Sequence, residues 1–475
     1  MIMYVLLCIN AILKRGILMN TDTETFKTHL KDLCDEYRLH NGFNERDYQT
    51  YGVKRGLRNP DGTGVMAGLT NICNVHGFMM ADGVRIPDEG KLTYRGINVN
   101  DIVSACINEN RFGFEETAWL LLFGSLPTEA QLARFKDTLG MMRELPDNFV
   151  EDMIMKSPSK DIMNKLARSV LVLYSFDSNP DDTSLENIMR QSIQLIASLP
   201  TIMTYAYQVK KRAFDKESMF FHPVDLTLST SQSILRALRP DMKFTDSEAK
   251  LLDLCMILHA EHGGGNNSTF SARVLSSSGT DTYSTISAAI GSLKGPRHGG
   301  ANLRVRKMMD ELKECVKDWS DEEAVYQHLA SIIKKEKGDG SGLIYGFGHA
   351  IYTLSDPRAV ILKKAAGQLA KEKEMTKEFE LYKMVESLTP RVMAEVKGSS
   401  KVICANVDFY SGFVYDMLGI PIELFTPLFA VSRIAGWCAH RIEEVTYGGR
   451  IIRPAYRAMA KSTKYTPIAD RTDNI

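Results

Sequence analysis

Apolar side chains return along this chain at three- and four-residue intervals and strict alternation is rare, so most of it can bury hydrophobic surface only as amphipathic helices packed on one another. Phe26, Leu30, Leu33 and Tyr37 share one helical stripe. Thr128 and Gln131 have the spacing of a capping box ahead of Leu132, Phe135 and Leu139. Thr245 with Glu248 repeats the device before Leu251, Leu254, Cys255 and Leu258. The same periodicity predicts helices over 283–294, 301–316, 359–373, 378–397 and 426–444, whereas only Gly83 to Gly96, with its Gly, Pro and Asp turns, reads as short strands. The class is mainly α. No internal repeat or low-complexity linker marks a domain boundary.

Length and charge narrow the possible partners. With 475 residues and 44% hydrophobic content, two or three domains with a large core are affordable. The 58 basic and 58 acidic side chains cancel, and no basic block of five or more occurs, which argues against nucleic acid as a partner. The eight cysteines (8, 34, 73, 106, 255, 315, 404 and 438) form no CxxC pair, so reduced thiols in a cytoplasm fit better than a zinc cage or a disulfide framework. The opening MIMYVLLCINAIL has its Lys14 and Arg15 after the apolar run, the wrong order for a secretory signal. It is also too short to span a membrane and lacks the Arg and Ser of a mitochondrial presequence. Residues 1–18 therefore read as an extension from an upstream start codon, with Met19 opening the domain proper.

The chemistry-bearing residues sit in glycine-rich islands, where backbone can approach a ligand closely. In GPRHGGAN, Gly295 and Pro296 stop one helix and the next begins near Ala301, which puts His298 just ahead of a helix N-terminus. Positive potential there disfavours imidazolium, and a neutral ring can donate to an oxygen that is gaining charge. In YGFGHAIYTLSDPRA, His349 follows a GFG triplet, Asp356 and Pro357 read as N-cap and first residue of a helix, and Arg358 lies in its first turn. An arginine opposing the helix dipole makes sense if it grips a carboxylate. In NVDFYSG, apolar neighbours of Asp408 predict a raised pKa and hence a stronger base. LHAEH places His259 and His262 at the end of a buried stripe, where a helix C-terminus favours a protonated ring. Arg433 lies on an apolar helix and needs an anionic partner.

Each feature has a plainer reading alone. The two histidines of LHAEH can be core residues bonded to backbone, GPRHGG a glycine turn, Asp408 a turn or helix cap, and the partner of Arg433 a buried glutamate. Metal ligation by His259, His262, His298 and His349 is disfavoured, because HAEH lacks the HExxH spacing and no short-range carboxylate completes a hydrolase site.

In order and spelling these islands resemble the citrate synthase family from about Gly68 to about Pro454. The resemblance implies a two-domain helical fold with a small domain, here 303–415, inserted between large-domain segments 19–302 and 416–475. It also implies a homodimer that condenses acetyl-CoA with oxaloacetate and hydrolyses the citryl thioester, with no metal or redox cofactor and no membrane. By the same resemblance Asp408 takes the methyl proton, His298 holds the enol and His349 polarises the ketone. His262, Arg358, Arg433 and, from the other subunit, Arg453 bind the dicarboxylate, with Arg450 as the second choice for the last. Leu343, Tyr345, Gly346, Phe347 and Gly348 would lie against CoA. Ala350 stands where many bacterial members have arginine, a departure that bears on contacts to the thioester. No motif separates acetyl-CoA from propionyl-CoA, so a 2-methylcitrate synthase is the nearest alternative. A noncatalytic CoA-binding paralogue is a further one, disfavoured because a binder needs no carbon base.

Overall fold

A computed structural model of the protein describes residues 24–40, 44–398 and 402–471, so the expected extension over 1–18 and the start at Met19 lie outside the described residues. The chain divides into two compact units, Met66–Pro454 and a smaller one drawn from Met1–Val65 with Ala455–Ile475. The smaller unit contains helix α1 (Glu24–His40) and the short α2 (Glu45–Thr50). Leu30, Leu33 and Tyr37 fall on α1 as expected, but the stripe is exposed in this chain, with 47%, 54% and 66% of each side chain accessible.

The larger unit opens with an antiparallel meander, β1 (Cys73–Ala81), β2 (Val84–Tyr94) and β3 (Ile97–Asn98). Strand β1 begins ten residues before the expected Gly83 because a bulge between His76 and Phe78 destroys the alternation that would have announced it. Helices follow: α3 (Val99–Asn108), α4 (Phe114–Phe123), α5 (Glu129–Met141), α6 (Ile162–Leu173), α7 (Leu185–Lys210) and α8 (Thr230–Leu238). Then come α9 (Asp246–His259), α10 (Asn267–Ser277), α11 (Thr282–Lys294), α12 (Ala301–Cys315) and α13 (Glu322–Ile333). The last four are α14 (Pro357–Glu372), α15 (Thr376–Lys397), α16 (Val407–Met417) and α17 (Phe425–Glu443).

Both expected capping boxes form. Thr128 and Thr245 each accept the N–H three residues on, and Gln131 and Glu248 return the bond to the cap. Asp356 caps α14 with Pro357 in its first turn. Helix α17 is the axis of the unit, buried along nearly all its length and packed against α4, α7, α9, α10 and α11. The segment Ile422–Gly448 is long and apolar enough to cross a membrane, but 83% of its most apolar window is buried in the protein, as in a core helix that is hydrophobic all round.

Candidate active site

Backbone contacts bring the islands together. The Gly346–Gly348 triplet pairs with the segment before Asp408: Asn406 donates its N–H to the Gly346 carbonyl at 2.8 Å, and Gly348 donates to Cys404 at 3.0 Å. Gly346 has φ +83°, and a Cβ there would come within 2.9 Å of Phe409 and Val305. Glycine is thus needed both for conformation and for close approach. Asn406 caps α16 by accepting from Asp408 N–H and donates its side-chain amide to the Gly348 carbonyl at 3.0 Å. One asparagine therefore sets the spacing between the His349 and Asp408 segments. On the other wall, His298 lies in the turn between α11 and α12, and a Cβ on Gly299 would overlap the Leu293 carbonyl.

These segments enclose a cavity of about 150 Å³ lined by His262, His298, His349, Arg358, Asp408 and Arg433, together with Asn266, Asn302, Asn406 and a wall that includes Leu293, Val407, Phe425 and Phe429. Six of the seven residues expected to act on the reacting groups or the dicarboxylate thus converge. The seventh, Arg453, is exposed and does not line the cavity of its own chain. Leu343 to Gly348 also do not line it; Leu343 is exposed, and Gly346 to Gly348 serve as the backbone bridge just described.

Asp408 is in the first turn of α16, where the helix dipole favours its anion. Loss of hydration outweighs that, with the neighbouring Asp356 acting in the same direction and Arg358 and Arg433 against it, and the carboxyl is pushed up to about 6. His298 moves the other way, to about 4, because of burial and then the Arg433 charge. It is neutral as expected, although the helix N-terminus that touches it is that of α10 and not the one following it. Ser268 N–H, in the first turn of α10, points at His298 Nε2 at 3.4 Å, and Ser268 Oγ is 3.0 Å from the same nitrogen. Nε2 is therefore the acceptor, and the proton of the neutral ring is on Nδ1. Trp437 Nε1–H donates to Ser268 Oγ at 3.2 Å and fixes the hydroxyl in turn.

His349 shows the opposite tautomer. Its Nδ1 accepts the backbone N–H groups of Ile351 at 3.0 Å and Tyr352 at 3.1 Å, which places its proton on Nε2. The His262 ring meets the His349 ring edge to face, with centroids 5.0 Å apart. The expectation of a cationic His262 is corrected: α9 ends three residues earlier, and burial, then the charge of Arg358, hold its pKa well below that of an ordinary histidine. His259 is the core histidine of the plainer reading, with Nδ1–H donating to the Cys255 carbonyl at 2.7 Å.

The two buried arginines differ. Arg358 does grip a carboxylate, but it is the chain's own: Nε and Nη2 bond Asp356 at 3.0 and 2.7 Å. Burial would lower its pKa, and the Asp356 charge more than reverses this. Arg433 is fully buried, donates Nε to the His259 carbonyl at 2.6 Å, and has no hydrogen-bond partner for Nη1 or Nη2 among the described residues. Burial pulls its pKa down, and the charge of Glu261 acts most strongly against that. Two unsatisfied donors on a buried cation are costly, on the order of 1–3 kcal/mol each even without the charge, and mark a place for an anion.

Asn302 and Ser268 enter the site without a role assigned from sequence, and Asp356, read there only as a helix cap, gains a second one. Asn302 donates to Ser411 Oγ at 2.6 Å and keeps a buried, unpartnered Oδ1 at the cavity. Asp356 joins α14 to α16 by accepting Val407 N–H at 3.2 Å while it holds Arg358. Both lie inside the quoted islands, whereas Ser268 lies outside them, six residues after the end of LHAEH. Among the described residues no group of three or more His, Cys, Asp or Glu side chains is placed to hold a metal.

Residues 59–455 match the model of the citrate synthase C-terminal domain. The chain belongs to the citrate synthase family. As a member it is an acyl-transferring enzyme with that family's mainly helical fold. It is 33% identical over 392 residues to a citrate synthase of Synechocystis, covering 82% of this chain and 90% of that protein. It is also 31% identical over 424 residues to 2-methylcitrate synthase 1 of Corynebacterium glutamicum, covering 88% and 99%. Among solved structures, Thermoplasma acidophilum citrate synthase in ternary complex with carboxymethyl coenzyme A and oxaloacetate superposes with a TM-score of 0.70 at 28% identity, covering 88% of this chain and 99% of that one.

Proposed function

We propose that this chain is a citrate synthase that condenses acetyl-CoA with oxaloacetate and hydrolyses the citryl thioester to citrate and CoA. The observation that carries the reading is a base, two neutral imidazoles of opposite tautomer and an arginine with two unpartnered nitrogens around one cavity. A thioester α-proton is far less acidic than a carboxylic acid, so Asp408 can take it only while His298 Nδ1–H holds the enolate oxygen. His349 Nε2–H polarises the ketone of oxaloacetate. Arg433 and Arg358 bind its carboxylates, with neutral His262 as a hydrogen-bonding neighbour and Arg453 supplied by the partner subunit of a homodimer. Leu343, Tyr345, Gly346, Phe347 and Gly348 flank the thioester. Residues 303–415 act as an inserted small domain that closes on oxaloacetate before CoA binds and keeps water from the thioester. The setting is cytoplasmic, and no metal, redox cofactor, nucleic acid or membrane enters the reaction.

Acetyl-CoA is favoured over propionyl-CoA because bulky Leu293, Phe425 and Phe429 share the cavity lining with Asp408 and His298. The second reading, a 2-methylcitrate synthase, is supported by relatives of that name at 31% and 34% identity. Purified enzyme given oxaloacetate and acetyl-CoA should release CoA with citrate as the product. No CoA release with oxaloacetate and either thioester would reject the assignment.

A further inference from the structure

The bulge in the β1–β2 hairpin is shaped to the loop that follows His349. The ladder pairs His76 with Lys91 and then Phe78 with Pro87, so Gly77 on one strand faces three residues, Asp88, Glu89 and Gly90, that are left out of the pairing. A bulge frees backbone groups that a regular ladder would consume. Here the freed groups are spent on residues 353–355. Thr353 Oγ1 donates to the Gly77 carbonyl at 2.5 Å and is 3.3 Å from the Asp88 carbonyl. Gly90 N–H donates to Ser355 Oγ at 3.2 Å, and Ser355 Oγ donates to the Glu89 carboxylate.

Both glycines of the bulge are required by contact and not by conformation, since neither has positive φ. A Cβ on Gly77 would come within 2.7 Å of the Tyr352 Cα and 2.8 Å of the Ile351 carbonyl oxygen. One on Gly90 would overlap the Ser355 carbonyl oxygen and crowd the Tyr352 ring. Arg85, one strand position from the hairpin tip, donates to the Ile351 carbonyl at 2.9 Å. The peptide units of Ile351 and Tyr352 are thus held from outside by the hairpin, and their N–H groups are the two that His349 Nδ1 accepts. The Tyr352 ring, pressed toward Gly90, stacks on the His349 ring at 4.7 Å.

We propose that the β1–β2 bulge is the positioning device of His349: through Thr353, Arg85 and the close approach of Gly77 and Gly90 it holds the two N–H groups that keep the imidazole proton on Nε2 and the ring in place. Thr353, Arg85, Gly77 and Gly90 are positioning residues, and none of them lines the cavity. The inference rests on the reading of His349 as the ketone-polarising group.

The test uses the full-length enzyme labelled with 15N-histidine, with His349→Ala to assign the His349 resonances. In wild type without substrate, His349 should give the Nε2–H tautomer. Thr353→Val, which keeps shape and removes the hydroxyl, and Arg85→Met, which keeps the aliphatic stem at a half-buried position and removes the guanidinium, should each mix the tautomers. Each should also lower kcat by about 10- to 100-fold, the scale of a misplaced catalytic group, with KM for the CoA thioester unchanged. Thr353→Ser, which keeps the hydroxyl, should restore both signals. An Nδ1–H tautomer in wild type would overturn the proposal. So would wild-type tautomer and kcat in folded Arg85→Met and Thr353→Val, and if Thr353→Val does not fold, Arg85→Met decides alone. Because the tautomer is read without substrate, it is separable from the parent reading, which fails instead if the wild-type enzyme releases no CoA.

Discussion

Replacing Asp408 by asparagine keeps the shape of the side chain and removes its basicity, so activity and stability should move in opposite directions. Loss of the general base should lower kcat by about 10²-fold or more. Stability follows from the carboxyl's pKa of about 6 against an ordinary 3.8. At about 1.4 kcal/mol per pH unit, holding the anion in the folded protein costs up to about 3 kcal/mol. Part of the side chain opens on the cavity, and water there screens the charge, which brings the cost to about 1–2 kcal/mol. The sign is fixed by linkage: a raised pKa means the folded state binds the proton more tightly. The penalty is absent below pH 3.8, grows as pH rises toward 6, and is complete above it. Asparagine carries no such penalty, so Asp408→Asn should be the more stable protein at pH 8, with the gap closing near pH 4. Urea unfolding at several pH values measures this. In parallel, kcat/KM of the wild type should fall about tenfold between pH 7 and pH 5 as the base protonates, where a carboxylate of ordinary pKa would leave it flat. A less stable Asn variant at pH 8, or a flat wild-type profile down to pH 5, would refute the reasoning.

Arg433→Met should raise KM for oxaloacetate by about 100-fold or more while leaving the melting temperature unchanged or higher, because it removes a buried cation with two unpartnered nitrogens. Normal oxaloacetate binding with a large loss of stability would show a structural arginine instead. His262 should titrate well below an ordinary histidine in an NMR titration of the free enzyme, and an ordinary or raised midpoint would contradict its neutral state. Arg453→Ala and His349→Ala should each be nearly inactive as homodimers, yet refolded together should recover about a quarter of wild-type activity, since half the dimers are mixed and each has one intact site. No recovery in confirmed heterodimers would mean that Arg453 serves its own chain or that Arg450 is the residue sought.

Helix positions were legible because capping and periodicity are local. The structure gives Thr282–Lys294 and Ala301–Cys315 where the sequence predicts 283–294 and 301–316, and both capping boxes close. The three histidines and Asp408 around the cavity were legible because glycines stand near each of them, and Arg433 because an apolar helix leaves a guanidinium in need of an anion. Electrostatics was legible only in part. Val407 and Phe409 correctly signal a raised Asp408, but the helix-end argument for a charged His262 fails, because burial and two nearby arginines outweigh a weak dipole effect. The tautomer of His298 depends on Ser268, thirty residues away, and that of His349 on a hairpin more than 250 residues earlier. Neither contact leaves a local mark in the sequence. The hairpin's bulge also hides its own strand, since the residues that serve the catalytic loop are those that break the alternation.

The central claim is tested most directly by competition: enzyme, oxaloacetate and equal concentrations of acetyl-CoA and propionyl-CoA, with citrate and 2-methylcitrate quantified by mass spectrometry at low conversion. The product ratio equals the ratio of the two kcat/KM values, and one methylene in an apolar pocket is worth about 1–3 kcal/mol. Citrate in excess by about tenfold or more is the predicted result, and 2-methylcitrate as the major product would contradict it.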